Sequence, residues 1–247
     1  MSGMWKPMPV GSLLALLLGS LGLGVPHALA GGTMDPTQCG GAESCIKDSI
    51  NRYSHENKET FSYEEAREHM FQEIDTVFDE NGRRTVQSVY TNHVYEVGSR
   101  GIPKDGVNTE HTWPQSKLKV SSRYSEARTD LYHLFPCQIE ANSMRGNSPF
   151  VDIPGEPHGE GRVFEVSGAG FEPPEAHKGI VARAMLYVSI EYRLPLDDKQ
   201  EAVLRKWAKE YPVLEEERER AQKIQSLQGN RNPFIEHPEW IDLVKNF

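Results

Sequence analysis

Apolar positions along this chain change period from one stretch to the next. Gly11 to Val25 (GSLLALLLGSLGLGV) is a continuous apolar run, preceded by Lys6 and followed by Ala28-Leu29-Ala30. A positive residue, an apolar run and small residues where a signal peptidase reads form the three-part secretory pattern. The run is shorter than the roughly 20 residues that span a bilayer. A signal peptide over residues 1–30 is therefore expected in place of a retained anchor, with cleavage after Ala30 and a mature chain from Gly31.

Cys45 to Phe78 reads as helical; within it Ala66, Met70, Ile74 and Phe78 share one face, and Ser62 is an N-cap candidate. Asn81-Gly82 signals a turn, and Thr85 to Tyr95, rich in β-branched and aromatic residues, reads as extended. Gly146 to Pro174 is dense in Gly and Pro, with one strand candidate at Arg162 to Val166. Helices return beyond Lys178: Gly179 to Tyr192 carries Val181, Met185 and Val188 on one side, and Asp198 to Tyr211 and Leu214 to Leu227 follow around Pro212. Glu215 to Arg220 (EEERER) reads as a solvated face with i,i+4 pairs. There is no internal repeat, and 247 residues suffice for one large core. The expected fold class is α+β, a mixed single domain over 31–247 with flanking helices.

The net charge of −9, or −10 without the first thirty residues, argues against a protein that coats nucleic acid by bulk electrostatics. It leaves room for a site that grips a few phosphates through Lys104, Lys117, Lys119, Arg123, Arg128 and Arg145. Cys39 and Cys45 flank a glycine-containing turn and can close a small loop in an oxidising compartment, leaving Cys137 odd; a pairing through Cys137 is the alternative.

Two blocks carry the chemistry, Asn108 to Ser116 (NTEHTWPQS) and Asp130 to Phe150 (DLYHLFPCQIEANSMRGNSPF). Taken singly, Glu110, His111, Asn142 and Arg145 have bland readings as surface or capping residues. Together they fit one geometry. Asn108 to Trp113 reads as a strand, and a strand that stops between Glu110 and His111 lets both side chains reach one cleft. Asp130 to Phe135 reads as its partner strand, and Ile139 to Arg145 as a short helix bringing Asn142 towards Glu110. A carboxylate and an amide oxygen suit Mg²⁺ or Ca²⁺, and a neutral imidazole beside them can deprotonate water near pH 7.

These blocks, with FEPPEAHKGIVARA at Phe171 to Ala184 and QGNRNPFIEHPEW at Gln228 to Trp240, resemble the endonuclease I family of secreted bacterial nucleases with a His-Me finger (ββα-metal) site. The resemblance implies that His111 activates water, that Glu110 and Asn142 hold one divalent metal (Mg²⁺, Ca²⁺ or Mn²⁺), and that an arginine holds the scissile phosphate. Arg128 matches that arginine best by position, with Arg123 and Arg145 as alternatives. It further implies a monomeric, secreted or periplasmic endonuclease cutting DNA and RNA without sequence preference to 5′-phosphate and 3′-hydroxyl ends, with no stable membrane association after leader removal. Tyr132 stands where many relatives have a histidine, and this chain has cysteines for one disulfide at most. The competing readings are a non-catalytic nucleic-acid-binding module and a metal-dependent phosphodiesterase for another substrate.

Overall fold

Short sequence signals set where the elements begin. Asp35 caps a 3₁₀ turn at Pro36–Cys39, and Cys39 is bonded to Cys45 in the first turn of α1 (Glu43–His55), a disulfide spanning 5.6 Å between Cα atoms. Cys137 is free and buried. Ser62 and Glu65 form a reciprocal capping box that fixes the start of α2 (Tyr63–His69). The computed structural model describes residues 34–91, 93–98, 101, 103, 105–153, 164–166 and 170–247; the expected leader, its cleavage site after Ala30 and Lys104 lie outside the described residues.

Tyr63 to Phe78 is not one helix. After His69 it widens into a π-turn at Met70–Ile74, and Thr76–Phe78 is already β1. Ala66, Met70 and Ile74 keep the buried stripe that helical spacing predicts, but Phe78 does not join it: it is 70% exposed, because Thr76, Val77 and Phe78 pair across the Asn81-Gly82 turn with β2 (Arg84–Gln87). Thr85 to Tyr95 likewise divides into β2 and β3 (Val94–Glu96), antiparallel neighbours. Between them Val89 and Tyr90 turn into the core, and Val89 N–H donates 2.8 Å to the carbonyl of Pro136.

The central hairpin pairs β4 (Val107–His111) with β5 (Leu134–Gln138). Two four-residue helices, α3 (Gln115–Leu118) and α4 (Tyr124–Ala127), and a 3₁₀ turn at Leu131–His133 connect the strands. The second strand thus starts at Leu134 and not at Asp130, because the Asp130 carboxylate caps Tyr132 N–H and starts a turn. α5 (Ile139–Arg145) follows β5 directly, with the bounds the sequence predicts. A second hairpin, β6 (Phe164–Val166) with β7 (Gly170–Glu172), leads into α6 (Glu175–Tyr192).

Fourteen residues of α6 are buried, so it is the central core helix and not the one-sided helix the sequence suggests. It packs against α1 and against α7 (Asp198–Glu210). Gly179 is required on it, since a Cβ there would stand 2.5 Å from the Tyr211 carbonyl. α8 (Glu215–Gln228) is only partly the solvated face expected of EEERER: Glu217 is buried against Arg183 of α6, and Arg220 pairs with Asp75 and donates to the Leu134 carbonyl. The chain ends in α9 (Pro233–Glu236) and a 3₁₀ turn at Pro238–Leu243. Residues 33–247 form one compact unit, an α+β domain.

A buried polar cluster pins the segment just before β5. Asp130 pairs with Lys58 and accepts hydrogen bonds from Tyr187 at 2.6 Å, Tyr192 at 2.7 Å and Gln228 at 2.9 Å. Burial works to raise its carboxyl, but Lys58, His133 and the Tyr187 hydroxyl hold it below the usual carboxylate range. Such a depressed group stabilises the fold fully above about pH 4 and loses that contribution as pH falls through its folded value. Removing the carboxylate leaves Lys58 uncompensated. Asp130→Ala is expected to cost about 3–5 kcal/mol in urea unfolding at pH 7, and a cost below about 1 kcal/mol would show that the pair is not a structural anchor.

Candidate active site

β4 and β5 bring Glu110 opposite Phe135 and His111 opposite Leu134. Neighbours on a strand point to opposite faces. Both side chains nevertheless line one cleft of about 420 Å³, because the strand stops there. It stops just after His111, one residue later than the sequence suggests. Asn142 and Arg145 of α5 close one side of the opening, and Tyr63 and Arg67 of α2 another.

Glu110 is 2% exposed. Its Oε1 accepts a 2.8 Å hydrogen bond from the Tyr90 hydroxyl and lies 3.6 Å from Arg145 Nε. Burial pushes its carboxyl up, with Arg145 and Tyr90 pulling the other way. An isolated buried carboxylate is costly, so this position favours a nearby positive charge.

Asn142 is turned by groups whose chemistry leaves little freedom. Its Nδ2 donates 3.2 Å to the Thr109 carbonyl and 2.7 Å to Asn108 Oδ1. A backbone carbonyl only accepts, so the atom facing it is the amide nitrogen, and Oδ1 is left on the other side.

The same logic fixes His111. Its Nε2 lies 2.9 Å from the Arg128 carbonyl and carries the proton, which leaves the lone pair on Nδ1. Burial, the neighbouring His133 and the cations Arg128 and Arg145 push the ring down to about 3, so it is neutral. Tyr63 stacks on it at 5.9 Å, and His133 meets it edge-on at 5.6 Å while donating to the Ala127 carbonyl. Gln115 Nε2 lies 3.3 Å from Nδ1, and Gln115 Oε1 accepts from Arg128 Nε at 3.1 Å.

The three arginine candidates differ sharply. Arg128 touches His111 through its carbonyl, and its guanidinium lies 4.2 Å from the Tyr63 ring, beside the cleft. Arg145 is 1% exposed and donates to the Thr112 and Gly146 carbonyls, so it braces the end of β4. Arg123 faces away into Glu126, Glu191 and His55. The basic rim inferred from sequence is thus reduced: Arg123 faces other partners, and Arg145, although it lines the cleft, is buried with its guanidinium on backbone carbonyls and near Glu110. Tyr132, in place of the family histidine, is buried and donates to the Asn230 carbonyl at 3.1 Å.

Sequence reasoning missed Tyr63, Arg67, Tyr90 and Gln115. Tyr90 lay in a segment read as a plain strand, and Tyr63 and Arg67 on a helix read for its core face. Gln115 sat inside the quoted block, where only its distance from His111 could have singled it out. Among the described residues no group of three or more His, Cys, Asp or Glu could hold a metal ion; the oxygen donors that the cleft itself offers include the Glu110 carboxylate and the Asn142 amide.

In this α+β domain a strand hairpin and the short helix that follows it set Glu110, His111 and Asn142 around one opening, a β-β-α arrangement. The chain belongs to the endonuclease I family, whose model, Endonuclease I, matches residues 43–239. It is 33% identical over 184 residues to the extracellular ribonuclease of Bacillus subtilis (strain 168), covering 67% of this chain and 63% of that protein. Identity is 35% over 175 residues to the extracellular ribonuclease of Bacillus amyloliquefaciens, covering 61% and 60%. It is 36% over 120 residues to an extracellular deoxyribonuclease of Aeromonas hydrophila, covering 47% and 52%. The chain therefore spans less than two thirds of each of these relatives.

Proposed function

We propose that this protein is a secreted nuclease that hydrolyses phosphodiesters of DNA and RNA without sequence preference, with His111 as general base and one divalent metal on Glu110 and Asn142. The observation that carries the reading is a cleft-lining His111 whose Nε2 faces the Arg128 carbonyl, together with an Asn142 oxygen that has no protein donor among the described residues and a buried Glu110 on the same cleft. That donor set suits a hard cation such as Mg²⁺, Ca²⁺ or Mn²⁺. When bound, the ion supplies charge stabilisation at the phosphate and the departing 3′-oxygen.

His111 Nδ1 takes the proton of the attacking water, and the Arg128 carbonyl holds Nε2–H and favours the imidazolium that results. Gln115 moves off Nδ1 to admit that water. The Arg128 guanidinium holds the scissile phosphate, and the products carry 5′-phosphate and 3′-hydroxyl ends. Attack by water needs no 2′-hydroxyl, which is consistent with relatives named ribonucleases and deoxyribonucleases. Phosphate contacts carry no base information. Export is supported by the leader pattern and by relatives named extracellular; among the described residues no helix is long and apolar enough to cross a membrane.

Purified protein offered supercoiled plasmid, single-stranded RNA and bis(p-nitrophenyl) phosphate in Mg²⁺ is expected to cut both polymers far faster than the small diester. Turnover of the small diester alone would favour a phosphodiesterase of another specificity. Binding of DNA without cleavage would favour a non-catalytic module.

A further inference from the structure

We infer that Arg67 is a second phosphate-binding residue, gripping the nucleic-acid backbone in the ground state next to the phosphate that Arg128 holds. The inference rests on the nuclease reading and adds a residue to it.

Two arginines line the cleft, Arg67 and Arg145. Arg145 is buried, and its guanidinium is held by backbone carbonyls and Glu110. Arg67 is half-exposed, and its guanidinium lies 5.9 Å from the ring centroids of both Tyr63 and Phe71. Among the described residues it has no hydrogen-bond or ion-pair partner. Glu64, one turn earlier on the same helix, does not pair with it, although such i,i+3 pairs form readily on helix surfaces. In a chain with 36 acidic residues, a cation left unpaired inside a cleft has a full set of N–H donors facing incoming ligand.

Its position is set by the fold. The Ser62–Glu65 capping box fixes the first turn of α2, and Ala66 and Met70 anchor the helix in the core. Tyr63 and Arg67, four residues apart, therefore share the face that meets the hairpin, and Tyr63 reaches His111. The guanidiniums of Arg67 and Arg128 both lie over the Tyr63 ring, at 5.9 and 4.2 Å from its centroid. A polyanion laid along this edge of the cleft offers one phosphate to each of the two arginines. The contact is carried chiefly by charge, because neutralising a backbone phosphate and releasing its counterions needs a cation and not one particular donor geometry.

The test is steady-state cleavage of a DNA duplex by wild type, Arg67→Ala and Arg67→Lys, with duplex affinity measured against salt in a His111→Ala background. Arg67→Ala is expected to raise KM about tenfold, the loss of one charged hydrogen-bonding contact, with kcat within about twofold, and Arg67→Lys to recover most of it. The log–log salt slope should become shallower by about one, which a merely structural role would not change. Melting temperatures identify a variant that fails to fold, and Arg67→Lys then carries the test: its KM is expected to lie within about threefold of wild type with the salt slope unchanged, whereas a collapse of affinity with charge retained overturns the inference. Unchanged KM and slope in folded Arg67→Ala overturn it while leaving the nuclease reading intact, as does a loss confined to kcat. Wild type without cleaving activity overturns both.

Discussion

His111→Ala is expected to slow plasmid cleavage by roughly two to four orders of magnitude, the usual contribution of a positioned general base, while the protein still folds and binds DNA. The ring is held by three independent contacts: the Arg128 carbonyl on Nε2, the Tyr63 stack and the edge of His133. They leave one atom, Nδ1, for proton transfer. Alanine removes that atom, the Nε2 hydrogen bond and the ring contacts to Tyr63 and His133, so some loss of melting temperature is expected beside a far larger loss of activity in a variant that still folds. The check is single-turnover cleavage of a labelled duplex alongside a thermal melt. Near-normal turnover in a folded variant would remove His111 from the chemistry.

Glu110→Ala is expected to lose at least about a hundredfold in activity at low Mg²⁺, since even the outer partners of metal ligands contribute ten- to a hundredfold. It carries a stability cost as well, because Arg145 Nε, 3.6 Å from Glu110, stays buried with no hydrogen-bond partner. Glu110→Gln keeps the shape and separates the two effects. Asn142→Ala should raise the Mg²⁺ midpoint about tenfold, equivalent to roughly 1.4 kcal/mol, and the double variant should be less than additive because both side chains serve one ion. Mg²⁺ titration of initial rates measures all four proteins. A midpoint unchanged in Asn142→Ala would take its amide out of the metal site.

Much of the fold around this site was legible because its signals are local. The capping box at Ser62, the turn at Asn81-Gly82 and the helix Ile139–Arg145 all depend on neighbours in sequence, and all appear where expected. Signals that depend on distant partners were not. Tyr63 to Phe78 keeps a helical stripe to Ile74, but pairing with Arg84–Val86 converts its end to strand. The strand pattern over Thr85 to Tyr95 could not show that Val89 and Tyr90 leave the sheet to reach Pro136 and Glu110. Arg145 and Arg128 look alike in sequence, and only burial and acceptors show that Arg145 is a buried brace while the Arg128 guanidinium lies beside Tyr63 and Gln115. Glu110, His111 and Asn142 were singled out because they stand in resembling blocks, and the fold brings all three to one cleft. Arg67 and Gln115 have no such mark, and their roles come from what they face.

The most direct measurement is relaxation of supercoiled plasmid by the wild-type protein in Mg²⁺, after excess EDTA, and after Mg²⁺ is restored. A site built on His111, Glu110 and Asn142 predicts nicking that stops in chelator and returns with the ion. Cleavage that continues undiminished in EDTA would contradict it.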